Sequence, residues 1–469
     1  MSARTVGVFV VALGLLAVAV AFRADPPAAD LPTLPATSAP DGPKFWRGNL
    51  HTHTLWSDGV DFPEMGAYWY KRNGYHFLCL SEHNLMADGE KWVDSESTPV
   101  RKLATAKYVK RFGEVWLDRR QKDGKPQVRL KAMREYRTAV EEPGKFLMVS
   151  GEEVTHKFKA KPIHMNAINL RDPIKPTDAD GVEEAIRVNM KLVAEQRKKS
   201  GWPGLTFLNH PNFGWGVRAE EMFAVEELGF FEVFNGHSGV RNYGDATHAS
   251  CERIWDIVLA VRLGKLGLPV VYGVATDDSH GYHEFGLGKT NPGRGWVMVR
   301  ATYLTPDALV RGMVAGDFYF SSGVRLTDVG KKNDTLSLKI DAEPGVKYRT
   351  EFIATMKGAD LKGQPVKGPD DQPLDAPHRS SDDIGKVVAV SSDANAGRVH
   401  EEADMDSRYT TASRAKRSMF GLASSPAPYT PNASARRVST TMRSISGRSA
   451  SSAAMGRAGT SAPARLSSA

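Results

Sequence analysis

The chain has 469 residues, 41% of them hydrophobic and 25% charged, ordinary proportions for a folded protein with room for one large domain and a smaller unit. Its formal charge of +8 invites a nucleic-acid partner, but nine Arg and one Lys with no acid lie between Ser407 and Ala469, and subtracting that +10 leaves −2 for the remainder. The body is therefore not basic, so no specific nucleic-acid partner is expected, and two cysteines, Cys79 and Cys251, exclude a disulfide framework.

In chain order, Met1-Ser2-Ala3-Arg4 carries one positive charge and Val6 to Phe22 is an unbroken apolar or glycine run ending near Ala19-Val20-Ala21. Residues 1–22 read as a secretory signal peptide, which makes the protein exported, periplasmic or extracellular; the alternative is an uncleaved N-terminal membrane anchor. A stable membrane partner is expected only in that second case. Residues 23–43, rich in Pro, Ala and Asp, read as a linker. From Lys44 short apolar runs alternate with polar helical segments. The expected strands are Gly48–Thr54, Phe77–Ser81, Phe146–Gly151, Ile163–Leu170, Leu205–Asn209, Phe231–Phe234 and Val270–Thr276. Helices are expected over Gly181–Ser200 and Ala249–Leu266. This alternation predicts an α/β barrel or open sheet over residues 44–324. Residues 88–144 form a charged helical insertion with a turn at Lys122-Asp123-Gly124-Lys125, packed onto the body by its aromatic side chains. After Arg325, period-two alternation such as Leu336-Ser337-Leu338-Lys339-Ile340 predicts a small β-rich appendage over residues 325–406. Residues 407–469 are dominated by Ser, Ala and Arg and are expected to be disordered. Their abrupt start suggests the hypothesis of a frameshifted reading of a GC-rich gene; it fails when neither neighbouring frame continues a strand pattern.

Chemistry-bearing residues recur at the strand ends. Gly48-Asn49-Leu50-His51-Thr52-His53-Thr54-Leu55-Trp56-Ser57-Asp58-Gly59 places two imidazoles two residues apart, on one face of an extended run, followed by a turn carboxylate. Further along come Ser81-Glu82-His83-Asn84, Gly151-Glu152-Glu153, His164, Asn209-His210-Pro211 and Asp277-Asp278-Ser279-His280. Each taken alone is an ordinary core or surface residue; their recurrence at successive strand ends, where α/β barrels build sites, points to a metal centre.

These motifs resemble the PHP (polymerase and histidinol phosphatase) family of metal-dependent phosphoesterases, over roughly Lys44 to Val324. The resemblance implies a distorted (β/α)7 barrel with a trinuclear centre. It implies one metal on His51, His53, Glu152 and Asp278, a second sharing Glu152 with His164 and His210, and a third on Asp58, His83 and His280. Of the two aspartates, the family's D-x-H spacing selects Asp278. The resemblance implies about two to three divalent ions, and imidazole with carboxylate donors favours Zn, Mn or Fe over Mg or Ca.

The chemistry so implied is hydrolysis of a small-molecule phosphoester by a metal-bridging hydroxide. The alternatives are the same metals hydrolysing a carbamate or carboxylic ester, and a non-catalytic metal-binding module. Around the centre, Asn84 and Arg241 are expected to orient substrate, and His237 in Phe234-Asn235-Gly236-His237 is the general-acid candidate. Asn209, Asn235, Lys289 and Arg294 are further polar candidates. Oligomeric state is not legible in the sequence.

Overall fold

The computed structural model describes residues 42–332, 335–364, 367, 370–372, 379–392, 397–400, 411–418 and 436–442. The expected signal peptide and nearly all of the linker lie outside the described residues. Among the described residues, no helix is long and apolar enough to cross a membrane.

Two sheets organise the part of the fold from Lys44 to Ser321. In the larger, Lys44–Asn49 pairs in parallel with Phe77–Cys79, which pairs in parallel with Leu147–Val149; on its other side Lys44–Asn49 runs antiparallel to Trp296–Ala301, and that strand to Phe318–Ser321. The smaller has the order Tyr272–Thr276, Phe230–Asn235, Leu205–Leu208, Lys161–Ile168, Gly151–Phe158. Each of the seven expected strands overlaps an observed one, the first only at Gly48 and Asn49 because that strand runs Lys44–Asn49. The two expected helices are observed as Val182–Ser200 and Cys251–Val261, the latter running into a wider turn over Arg262–Leu266. Val182–Ser200 carries Glu183 and Glu184 in its first turn and three basic residues in its last, as the helix dipole favours.

The fold is mixed α/β, and among the described residues its strands do not close into a (β/α)7 barrel. The physical reason lies at Gly151–Ile168. Here two strands form an antiparallel hairpin joined through Lys159 and Ala160, with no helical crossover, and Leu205–Leu208 then pairs antiparallel as well. A parallel pairing needs a crossover of a dozen residues or more, and none intervenes within the hairpin. Two isolated parallel bridges, Thr52 with Ser279 and His83 with Glu153, link the sheets where the chemistry-bearing residues gather.

One core cluster fills the space between the strands and the helices Val182–Ser200 and Cys251–Val261, with Phe207, Phe231 and Trp255 nearly inaccessible. A second lies under the insertion. That insertion is more than helical: besides the helix Pro99–Phe112 it contains a three-stranded antiparallel sheet of Lys91–Asp94, Lys125–Leu130 and Arg119–Lys122. Its hairpin turns at Asp123 and Gly124, with φ of 53° and 72°, the left-handed pair that a two-residue turn demands. Tyr108 and Tyr136 are buried in the second cluster beside Trp56 and Leu78. The insertion thereby braces the segment carrying Asp58: Trp56 donates its indole N–H to the Lys131 carbonyl, and Lys91 Nζ donates to the Trp56 carbonyl.

The appendage is β-rich, with Leu326–Lys332, Thr335–Ile340 and Gly397–His400 forming an antiparallel sheet. In the tail, Thr411–Ser418 and Arg436–Met442 are strands of the larger sheet. The remainder of the tail lies outside the described residues.

The joint between insertion and body contains a titrating group. Glu64 is fully buried, accepts from Tyr108 Oη at 2.7 Å, and is pushed by burial up to about 7 from an ordinary 4.5. Since the folded state holds this proton more tightly than the unfolded chain does, ionisation costs stability progressively as pH rises from about 4.5 towards 7. Glu64→Gln keeps an acceptor for Tyr108 and removes that cost. Denaturant melts should show it more stable than wild type at pH 8 by up to about 3 kcal/mol, with the difference closing at pH 4. An equal difference at both pH values would remove Glu64 as the titrating group.

Candidate metal centre

The strand Lys44–Asn49 ends just before the first imidazole, but the chain stays extended. Asn49 Oδ1 accepts from His51 N at 2.8 Å, and His53 N donates to the Ser279 carbonyl at 3.0 Å. His51 and His53 therefore project together, their Nε2 atoms 3.1 Å apart. The buried carboxylate of Glu82 ties down the loop from Thr54 to Ser57, accepting from Thr54 N, Thr54 Oγ1 and Ser57 Oγ. Gly59 packs directly over this loop: a Cβ there would lie 2.5 Å from the His53 carbonyl. The result is a tight turn that presents Asp58, whose Oδ1 lies 3.5 Å from His53 Nδ1 and 3.3 Å from His280 Nε2, and whose Oδ2 lies 3.4 Å from His83 Nε2.

Glu153 is the hub. Its Oε1 lies 3.1 Å from His164 Nδ1, 3.3 Å from His51 Nε2 and 3.4 Å from His210 Nε2, and accepts from Asn209 Nδ2 at 2.7 Å. Its Oε2 lies 2.7 Å from His83 Nδ1 and 3.5 Å from His53 Nε2. Glu152, which the resemblance puts in this place, points the other way. Its Oε1 accepts from Ile174 N at 2.5 Å, and burial pushes its carboxyl up to about 7. The sequence pattern ends a strand at Gly151; in the structure a new one starts there and runs to Phe158, so successive side chains alternate between faces. In the hairpin register Glu153 opposes Asn166 and Thr155 opposes His164, which sets Glu153 and His164 on one face and Glu152 on the other.

The last segment comes after Tyr272–Thr276. Asp278, at φ 47°, places Oδ1 3.3 Å from both His51 Nε2 and His53 Nε2. Asp277 faces away, accepting from the amides of Gly293, Arg294 and Gly295 and from Tyr70 Oη. His210, at φ 20°, is positioned by its own N–H, which donates to Glu232 Oε2 at 2.7 Å.

Glu232 was not foreseen from sequence. It is fully buried, takes His51 Nδ1 at 2.7 Å and Thr276 Oγ1 at 2.6 Å, and also holds Asn235 Nδ2 at 2.8 Å. By engaging Nδ1 it turns His51 Nε2 towards the cluster, the orientation outer carboxylates impose on metal-bound histidines. A lone acid inside the apolar run Phe230-Phe231-Glu232-Val233-Phe234 was the signal available.

Nine side chains thus form four overlapping groups whose donor atoms lie within 4.8 Å of one another: His53, Asp58, His83 and His280; His51, His53 and Asp278; His51, Glu153 and His210; His83, Glu153 and His164. Burial lowers the basicity of His51, but Asp278, Glu232 and Glu153 more than offset it and hold the imidazole well above its usual range. Burial and the neighbouring His280 depress His53 to about 4. The arrangement fits cations. Glu153 Oε2 is buried without a hydrogen bond of good geometry; His83 Nδ1 lies 2.7 Å from it and also meets Thr155 Oγ1 at 2.6 Å. Facing imidazole nitrogens and an orphaned carboxylate oxygen are what divalent ions with N/O ligands satisfy.

The three residues expected to handle substrate fare differently. Asn84 is committed to the scaffold: its side chain donates to the Thr155 carbonyl at 3.0 Å and accepts from Thr155 N at 2.7 Å, so both ends of the amide are used. Arg241 is exposed, its guanidinium 5.0 Å from the Trp215 ring centre. His237 lies at the centre, its ring 5.2 Å from that of His280; Gly239 N donates to its Nδ1 at 3.0 Å, which places the ring proton on Nε2. Burial lowers its basicity, an effect that Asp278 opposes. Asn209 and Asn235 orient Glu153, Glu232 and Asp278. Lys289 pairs with Glu284, and Arg294 donates to the Gly236 and Gly286 carbonyls.

No family model and no curated protein matches the chain. Among solved structures, a two-domain protein containing a predicted PHP-like metal-dependent phosphoesterase, from Bacteroides vulgatus ATCC 8482, aligns over 80% of this chain and 91% of its own, with 15% identity and a TM-score of 0.34. A candidate metal-dependent phosphoesterase from Bifidobacterium adolescentis ATCC 15703 aligns over 52% of this chain and 92% of its own, with 13% identity and a TM-score of 0.28. PHP-like metal-dependent phosphoesterases are thus among the structural neighbours of this chain.

Proposed function

We propose that the protein is a metal-dependent hydrolase of small-molecule phosphoesters, working at a centre of about two to three divalent ions of Zn, Mn or Fe. The observation that carries this reading is the gathering of nine His, Asp and Glu side chains into four overlapping donor groups, two of which share the buried Glu153. Asp58, His53, His83 and His280 would hold an ion at the open end, where the Asp58 side chain is 55% exposed. His51, His53, Asp278, Glu153, His164 and His210 would hold the deeper ones. Bound there, divalent ions supply Lewis acidity that activates water near neutral pH and offsets phosphate charge.

The side chains around the ligands do the rest. Glu232 and Asn235 fix the orientation of His51, His210 and Asp278, so little reorganisation is left for the reaction itself. His237 offers Nε2–H to a phosphoryl or leaving oxygen. With its Nδ1 held by Gly239 and its basicity lowered, it serves better as a neutral hydrogen-bond donor than as a strong acid. Residues 1–22, read as a signal peptide, make the enzyme an exported one in this proposal, and fractionation of the producing cell tests that part.

Elemental analysis of the full chain together with an aryl phosphate assay tests the whole. More than one metal per chain, with turnover slowed by inorganic phosphate, is the expected result. Stoichiometric metal without phosphatase turnover would move the chemistry to carbamates or carboxylic esters. Less than one metal after reconstitution would sink the centre.

A further inference from the structure

Phe213 packs its phenyl ring among the imidazoles of the centre. Its ring centre lies 5.0 Å from that of His210, 6.3 Å from His164 and 6.0 Å from His237. It belongs to none of the hydrophobic clusters of the fold and is only partly buried. Core packing therefore does not account for it.

The backbone around it is held in a conformation that residues seldom adopt. Gly214 and Trp215 both have left-handed φ, 55° and 53°, and Trp215 is a bulky residue for which this is unfavourable. Gly216 presses so closely on the Pro162 carbonyl that no Cβ fits there. Asn212 clamps the turn from below, its side chain donating to the Arg241 carbonyl at 3.0 Å and the Ala249 carbonyl at 2.9 Å. The Trp215 ring is itself fixed by stacking on His248 at 3.8 Å. A strained and clamped turn thus presents a phenyl ring between metal-ligand imidazoles on one side and the His237 donor on the other.

We propose that Phe213 is the specificity residue of this site, a platform against which the non-phosphate part of the substrate lies, and that the preferred substrates carry a planar aromatic group next to the scissile ester. This rests on the hydrolase reading above. An aromatic group has an extended face for the ring to pack on, whereas a small polyol or alkyl group has little to offer it.

The test is binding of non-hydrolysable ligands to the metal-loaded full chain by calorimetry. Phenylphosphonate should bind about 5- to 10-fold more tightly than methylphosphonate. In Phe213→Ala that ratio should fall to about one, and in Phe213→Leu, which keeps bulk without a ring, to an intermediate value, while elemental analysis shows the metal retained. An unchanged ratio in Phe213→Ala, or equal weakening of both ligands, would overturn the proposal. If neither phosphonate binds to loaded protein, the phosphoester reading is what has failed. Benzoate and acetate then repeat the comparison for a carboxylic ester site, and absence of an aromatic preference in that pair too would end the platform.

Discussion

Glu153→Gln is expected to strip at least one ion from the centre. One carboxylate faces five imidazoles, so its loss removes a shared ligand from two of the four donor groups. Removing a single outer-shell partner of a metal site costs about 10- to 100-fold in affinity or activity, and a shared direct ligand should exceed that range. Metal content after dialysis should drop by at least one ion per chain, and turnover should fall below about 1% of wild type. The informative partner variant is Glu152→Gln, which should keep both metal and turnover because its carboxylate bonds Ile174 N on the opposite face. Metal retained in Glu153→Gln and lost in Glu152→Gln would reverse the assignment.

Glu232→Gln should weaken the centre without abolishing it. The glutamine cannot accept from all of His51 Nδ1, the His210 amide, Asn235 and Thr276 as the carboxylate does. An amide N–H turned towards His51 would favour the wrong tautomer, putting a proton on the nitrogen that faces the cluster. Metal affinity measured by competition with a chelator should fall about 10- to 100-fold, with turnover recovered at excess metal. Wild-type affinity in this variant would show that Glu232 serves packing alone.

Much of this was written in the spacing of residues. His51 and His53 are two apart in an extended run, and Asp278 and His280 come directly after the apolar run Val270–Thr276, so local pattern places both pairs. The Glu152-Glu153 doublet shows where pattern stops. Which of two adjacent carboxylates faces inward depends on strand register, and that is set by a hairpin partner, His164 with Thr155, which no local window contains. Glu232 was hidden for a related reason: an acid in the middle of an apolar strand reads as an exception until the imidazole it holds, that of His51, is known from the tertiary fold. The barrel expectation failed for want of the same information. Alternating runs of strand and helix do not reveal that Gly151–Phe158 and Lys161–Ile168 double back on each other. Asn84 shows the same limit: a strand-end amide looks equally available for substrate and for backbone, and here Thr155 engages both of its ends.

The Thr52–Ser279 bridge joins the first site segment to the last. For a chain emerging from the ribosome, the two leading imidazoles must wait until Asp278 and His280 have been made before the cage around them can close. A polypeptide cut short by premature termination or clipped within the loops before Ser279 would carry most of the ligands and still lack the pieces that seal them. Under the proposed function, ion capture would therefore be a property of the finished fold, since it needs the Thr52 and Ser279 segments to have met.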